Sequence, residues 1–332
     1  KLNLPPFSIL DLATINEGSD AATAFRNTLD LAQHAERWGY KRFWLAEHHN
    51  MPGIASAATA VVMAYVAGNT TTIRVGAGGI MLPNHAPLMV AEQFGTLESL
   101  FPGRIDLGLG RAPGTDHATA RALRRTLNSN PDDFPQDVIE LLSYFEPAED
   151  AGRMGVVRAV PGAGLKIPIF ILGSSLFGAQ VAAGLGLPYA FASHFAAPMM
   201  MGAIETYRRN FRPSKACPAP YVMLGVNIVA AGTDEEATFL ATSGRQAIAN
   251  LRRGMPTKLP PPSKDYLRDV VPFGVIPLED LQAVSMVGSP EMVRRSLETF
   301  VERTRPDEII ILSQIYDHAA RLRSFEIVAS LR

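Results

Sequence analysis

Short apolar runs alternate with segments of helical periodicity along almost the whole chain. Phe7 to Leu10 is strand-like, Asp20 to Trp38 helical, Arg42 to Ala46 strand-like, Ala55 to Ala67 helical, Ile73 to Ala77 strand-like and Pro87 to Leu100 helical. A strand at Arg104 to Leu109 then precedes helical stretches near His117 to Leu127 and Asp133 to Phe145, and a strand at Ile167 to Leu172 precedes a helix at Leu176 to Leu185. Tyr189 to Ala192 leads to a helix at Met199 to Phe211, and Tyr221 to Ala230 and Glu308 to Leu312 supply the last two strands. Runs that are apolar throughout, rather than alternating, are buried on both faces. Eight of them separated by helices predict an α/β fold whose parallel sheet closes into a (β/α)8 TIM barrel. No internal repeat divides the chain, and residues 1–332 read as one barrel domain. The Pro-rich stretch Arg252 to Asp280, with Pro256 and Pro260 to Pro262, follows neither period and is long for a connection. It is expected to be a lid over the mouth after strand seven.

Polar and glycine residues collect where these strands end. Gly39 closes a helix at the position where a residue without Cβ takes a left-handed backbone cheaply, and the strand that follows leaves Glu47, His48 and His49 at its carboxyl end. Gly78 and Gly79 follow strand three, Gly110 and Arg111 strand four, Gly173, Ser174 and Ser175 strand five, and Ser193 and His194 strand six. A barrel brings all five segments to one rim, the side on which barrels carry chemistry. An isolated His pair reads as a solvated loop. At a strand end beside a glutamate it reads as a titratable site instead. A metal site competes, although neighbouring residues on a strand point to opposite faces, which spaces HH poorly for one ion.

Two segments have the character of anion sites. GLGRAPG, Gly108 to Gly114, imitates a dinucleotide fingerprint, but its spacing is off by one and Arg111 and Pro113 occupy the turn. Arg111 serves either as a planar fork for a phosphate monoester or as a surface ion pair. LGSSLFGAQ, Leu172 to Gln180, runs a strand into Gly and Ser residues that open a helix, so backbone amides and hydroxyls face one phosphate, or a serine simply caps the helix. GAGG at Gly76 to Gly79 marks either close approach to something flat or a tight turn.

Charge and cysteine usage narrow the partners. Thirty-one basic against thirty-two acidic side chains give a net charge of −1, which leaves no electrostatic footprint for nucleic acid or an anionic membrane. No apolar run has the length of a membrane span, and the single cysteine, Cys217, forms no internal disulfide. A cytoplasmic protein acting on a small organic molecule is expected.

Several blocks together carry a family resemblance over nearly the whole chain. AExxGYxxxWLAEHHN at Ala35 to Asn50, VGAGGIMLPNHAPLMVAEQFGTLESLFPGRIDLGLGRAPG at Val75 to Gly114 and LGSS at Leu172 to Ser175 resemble the motifs of the bacterial luciferase-like, flavin-dependent monooxygenases, in order and at matching separations. The resemblance implies FMN bound at the carboxyl rim in its reduced form, supplied as a co-substrate by a separate flavin reductase. It also implies O2 added at the flavin C4a position and a small organic substrate oxidised as a result. His48 occupies the position of the family's catalytic histidine. Gly78 and Gly79 match a small-residue pair, often joined by a non-prolyl cis peptide, under the isoalloxazine. Arg111 and the Gly173, Ser174 and Ser175 turn match the phosphate site. His194, or Ser193 beside it, falls near a flavin-contacting aromatic. Gly110 stands where bacterial luciferase has a reactive cysteine, a departure that argues against light emission. A homodimer is expected on the alanine-rich helix Ile54 to Ala67 and on Pro87 to Leu100. Three other readings stay open: a deazaflavin-dependent reductase, a flavin-binding protein without turnover and, from outside the family, a metal-dependent barrel hydrolase.

Overall fold

A computed structural model describes residues 3–112, 116–123, 130–147, 157–266 and 284–332. Its strands, in chain order, are β1 (Phe7–Asp11), β2 (Arg42–Leu45), β3 (Arg74–Met81), β4 (Ile105–Gly110), β5 (Ile169–Gly173), β6 (Tyr189–Phe191), β7 (Val222–Ala230), β8 (Ser285–Gly288) and β9 (Glu308–Leu312). Every pairing is parallel, and the β6–β7 and β9–β1 ladders close β1 to β7 and β9 into an eight-stranded ring, the (β/α)8 barrel that the apolar runs predict. The long strand β7 serves two ladders at its far end: Met223 to Asn227 pair with β9, while Asn227 to Ala230 pair with β8, which stands outside the ring.

Between the strands lie α1 (Ala21–Arg37), α2 (Thr59–Gly68), α3 (Pro87–Leu100), α4 (His117–Leu123), α5 (Phe134–Phe145), α6 (Leu176–Leu185), α7 (Ser193–Ala196), α8 (Met200–Asn210), α9 (Asp234–Arg252), α10 (Pro290–Thr304) and α11 (His318–Ala329). Side chains alternate across each strand, and the alternation sorts the core into two parts. Outward residues such as Phe7, Ile9, Phe43, Leu45, Val75 and Leu107 join the helices in one large apolar layer. Inward residues, among them Leu10, Trp44, Phe170, Ala190, Met223 and Ile310, fill the barrel itself.

The amino-terminal end of the barrel interior is closed by charge rather than by hydrocarbon. Asp106 and Glu308 are fully buried and share Arg42, whose guanidinium lies 2.8 Å from Asp106 and 3.0 Å from Glu308. Arg74 adds a second contact to Asp106 at 2.8 Å, and the Trp44 indole donates to it at 3.1 Å. Glu308 also accepts from the Ser8 and Tyr221 hydroxyls. Buried charges persist only where each is paired and hydrogen-bonded, which these are.

Some boundaries differ from the sequence expectation. Strand three runs on to Met81, so Gly78 and Gly79 lie inside it, where its register against β4 shifts. The helix expected from Ile54 or Ala55 begins only at Thr59, because Ile54 bridges to Thr14 and the Ala55 and Ser56 amides bond the Ala13 and Leu12 carbonyls. The segment Arg252 to Asp280 does not follow β7 directly, since α9 intervenes. In its described part Leu259 exchanges backbone bonds with Ile15 and Glu17; the rest of the expected lid, from residue 267, lies outside the described residues, as do Leu127 and Gly114.

Arg42→Ala would take the arginine from buried Glu308 and leave Asp106 with Arg74 alone, and a loss of about 3–5 kcal/mol is expected in chemical denaturation. A loss below about 1 kcal/mol would mean that water replaces the guanidinium.

Candidate active site

The carboxyl ends of the strands surround a cavity of about 440 Å³. Of the strand-end residues singled out from the sequence, Glu47, His48, Gly78, Gly110, Arg111, Gly173, Ser174, Ser175 and His194 line it, while His49, Gly79 and Ser193 do not. Gly79 is turned to β4, where an added Cβ would stand 2.8 Å from the Gly108 carbonyl. Its part is close backbone packing beside the cavity rather than lining.

The cavity floor is built from Trp44 and the glycines of β3 beside it. Trp44 projects inward from β2 across β3, and a Cβ at Gly76 would fall 2.6 Å from the indole nitrogen, one at Gly78 2.9 Å from the ring carbon Cε3. The Gly78–Gly79 peptide is cis. Gly110 has a similar cause: Met81 lies over it, its methyl group 2.5 Å from where a Cβ would be. Gly110 is thus covered by a thioether.

His48 enters from the end of β2, its amide bonded to the Ser56 carbonyl at 3.1 Å, and lines the cavity. Its two neighbours are tied to each other, with His49 Nε2 2.7 Å from Glu47 Oε1. His85 Nε2 reaches the same oxygen at 2.8 Å, and Glu47 Oε2 accepts the Met81 amide at 2.6 Å. Glu47 is 1% exposed, and burial alone would raise its pKa. The hydrogen bonds from His49, His85 and the Met81 amide outweigh that and pull the carboxyl down to about 2. His85 was not singled out from the sequence. With strand three ending at Ala77 it reads as a distant loop residue; with the strand running to Met81 it stands at the same rim.

At the opposite end of the cavity β5 runs into α6. Ser175 is the extended residue before that helix, and its side chain makes no capping bond, so the amides at the helix start face the cavity without a protein acceptor from this serine. The Arg111 guanidinium sits 4.3 Å over the Phe177 ring on the same helix, beside Ser174. A cation stacked on an aromatic at a helix N-terminus is an anion-binding arrangement. Gly173 is required there, since a Cβ would meet the Tyr189 hydroxyl at 2.9 Å.

His194 occupies the short helix α7 rather than a loop. Ser193 Oγ donates to the Gly225 carbonyl at 2.6 Å, and Asn227 Nδ2 donates to the His194 carbonyl at 2.7 Å, which fixes the backbone. The ring lies on Gly225, where a Cβ would collide with Nδ1. That nitrogen is buried and lacks a hydrogen-bond partner. Burial, and after it the neighbouring His48, push the His194 pKa down to about 4. Ser193 is fully buried, and of the two residues it is His194 that lines the cavity.

Among the described residues no group of three or more His, Cys, Asp or Glu side chains is arranged to hold a metal ion, and no helix is long and apolar enough to cross a membrane.

Comparison with known proteins places this geometry. The family of luciferase-like monooxygenases matches residues 6–307. An Escherichia coli (strain K12) protein described as a luciferase-like monooxygenase is 52% identical over 326 residues, 98% of this chain and 96% of its own. The structure of apo-MsnO8 superposes with a TM-score of 0.90 at 34% identity, covering 98% of each chain. Two more distant structures share the fold: the FMN complex of the oxygenating constituent of 3,6-diketocamphane monooxygenase from Pseudomonas putida (TM-score 0.71, 17% identity, 98% and 97% covered) and an F420-dependent secondary alcohol dehydrogenase (0.73, 15%, 99% and 100%). The chain belongs to the luciferase-like monooxygenase family.

The environment of His194 has a titration signature. With its pKa near 4 against an ordinary value of 6.5, the folded protein binds this proton more weakly than the unfolded chain. Its contribution to stability is therefore complete above pH 6.5 and is lost as pH falls towards 4. Imidazole NMR is expected to show His194 neutral throughout pH 5.5 to 8; a midpoint near 6.5 would place the ring in water.

Proposed function

We propose that the protein is a two-component flavin monooxygenase: it takes reduced FMN from a separate reductase and, with O2, oxidises a small organic substrate. The observation that carries this reading is the convergence on one cavity of a helix start beside an arginine, a glycine floor backed by Trp44 and two imidazoles. Arg111, Ser174 and the amides before α6 suit a phosphate monoester. The backbone at Gly78, backed by Trp44, suits a flat ring, and Leu10, Leu12, Ala46 and Ile310 make the remaining wall apolar.

Bound reduced FMN would supply the electrons that activate oxygen. The chain supplies position and proton control. Arg111 would hold the phosphate, Gly78 would admit the ring, and the apolar wall would keep water from the reacting atoms. His48 is the proton-handling group at the edge of the ring site, opposite a neutral His194 that offers a hydrogen bond without adding charge. The family membership and the fold shared with an FMN complex support this reading, and the fold shared with an F420 enzyme makes a deazaflavin the comparison ligand.

The protein is further proposed to act as a homodimer through α2 and α3, which pack side by side and leave Val61, Met89 and Leu100 at 70%, 59% and 62% exposure. A dimer mass is expected by light scattering at micromolar concentration; a monomer would return this face to water.

Equilibrium titration tests the cofactor. FMN is expected to bind more tightly than F420, and Arg111→Ala to weaken FMN by about 1.5–3 kcal/mol more than riboflavin, which lacks the phosphate. Equal losses would remove Arg111 from the phosphate site. In single-turnover reactions His48→Ala is expected to slow substrate oxidation by ~10² to 10⁴ while FMN still binds; an unchanged rate and pH profile would sink the assignment.

A further inference from the structure

Glu47 stands out because its carboxylate is buried among groups of a different kind from those at the amino-terminal end of the barrel. There, each buried carboxylate meets arginine. Here the ion pairs of Glu47 are with two imidazoles, His49 and His85, and its other oxygen takes a backbone amide. An imidazole that donates through Nε2 keeps a fixed ring orientation, so both rings and the carboxylate lock one another.

What the carboxylate locks is the wall of the cavity. On one side, the bond from His49 back to Glu47 ties together the two residues that flank His48, which itself lines the cavity. On the other side, the bond to the Met81 amide holds the end of β3, three residues beyond Gly78 and two beyond Gly79. Met81 in turn covers Gly110. One buried charge thus fixes three parts of the lining that come from β2, β3 and the cover of β4.

We propose that Glu47 is a positioning residue for the ring end of the flavin site, held in orientation by His85: it sets the backbone of His48 and the Met81 wall, and contributes nothing at the phosphate end. The proposal rests on the flavin reading above for its ligand, while the anchoring of Met81 is a property of the protein alone.

His85 is the member to alter, since its side chain is 29% exposed and its loss leaves no new cavity in the core. His85→Leu removes the donor, and His85→Gln returns an amide N–H that can reach the carboxylate. Fluorescence titrations with FMN and with riboflavin are expected to show His85→Leu weakening both by the same factor, about ten- to a hundredfold, with His85→Gln restoring most of it. Arg111→Ala is the contrasting variant, its loss falling on FMN. Amide hydrogen exchange without ligand supplies the second readout: exchange at Met81 is expected to rise in His85→Leu and in Glu47→Gln, with melting temperature of the histidine variants close to that of the parent. Riboflavin affinity unchanged in His85→Leu, a loss confined to FMN, or Met81 exchange unaltered in both variants would each overturn the proposal. If the parent protein bound neither flavin, the cofactor reading and the assignment to a flavin site would fall together, while the exchange data would still decide whether Glu47 anchors Met81.

Discussion

Trp44 crosses the barrel interior only because the strand beside it presents no side chains, and most of the site follows from that constraint. With Gly76 and Gly78 open, the indole lies against β3, its nitrogen reaches Asp106 below, and its upper surface leaves a level floor under the cavity. A methyl group at either glycine would meet the ring at under 3 Å and push it upward. The same side chain therefore ties the charged layer at the amino end to the cavity at the carboxyl end. In close-packed interiors such a link transmits displacement rather than absorbing it.

Above that floor the lining is arranged by gradient. At the β5–α6 end lie the arginine and the helix amides; at the β2 end lies a buried carboxylate hydrogen-bonded to imidazoles; between them the wall is apolar. A ligand with an anionic tail and an uncharged ring has one orientation of lowest energy in such a field. Orientation is thus settled by charge at the tail, leaving shape to settle the ring.

The barrel was readable from sequence because a strand covered on both faces needs apolar residues at every position, and such runs have no solvent-facing equivalent. The strand-end histidines and the Gly and Ser turn were readable for a related reason: polar residues directly after such a run have only the rim to occupy. What escaped was whatever depended on pairing across the ring. β3 looked short because glycines in a strand carry no pattern, although the neighbouring Trp44 is what demands them. α2 looked long because alanines fit a helix, whereas Ala55 and Ser56 are claimed by the chain after β1. β8 is a four-residue strand, too short to announce itself, and His85 acquires meaning only once Glu47 is seen to reach it.

The double ladder on β7 has an evolutionary side. The ring is complete through β6, β7 and β9, so β8 is an appendix hung on the last residues of one strand. Mutations in that strand leave the ladders that close the barrel untouched. A lineage can in this way revise the margin of its sheet without renegotiating the architecture that closes it.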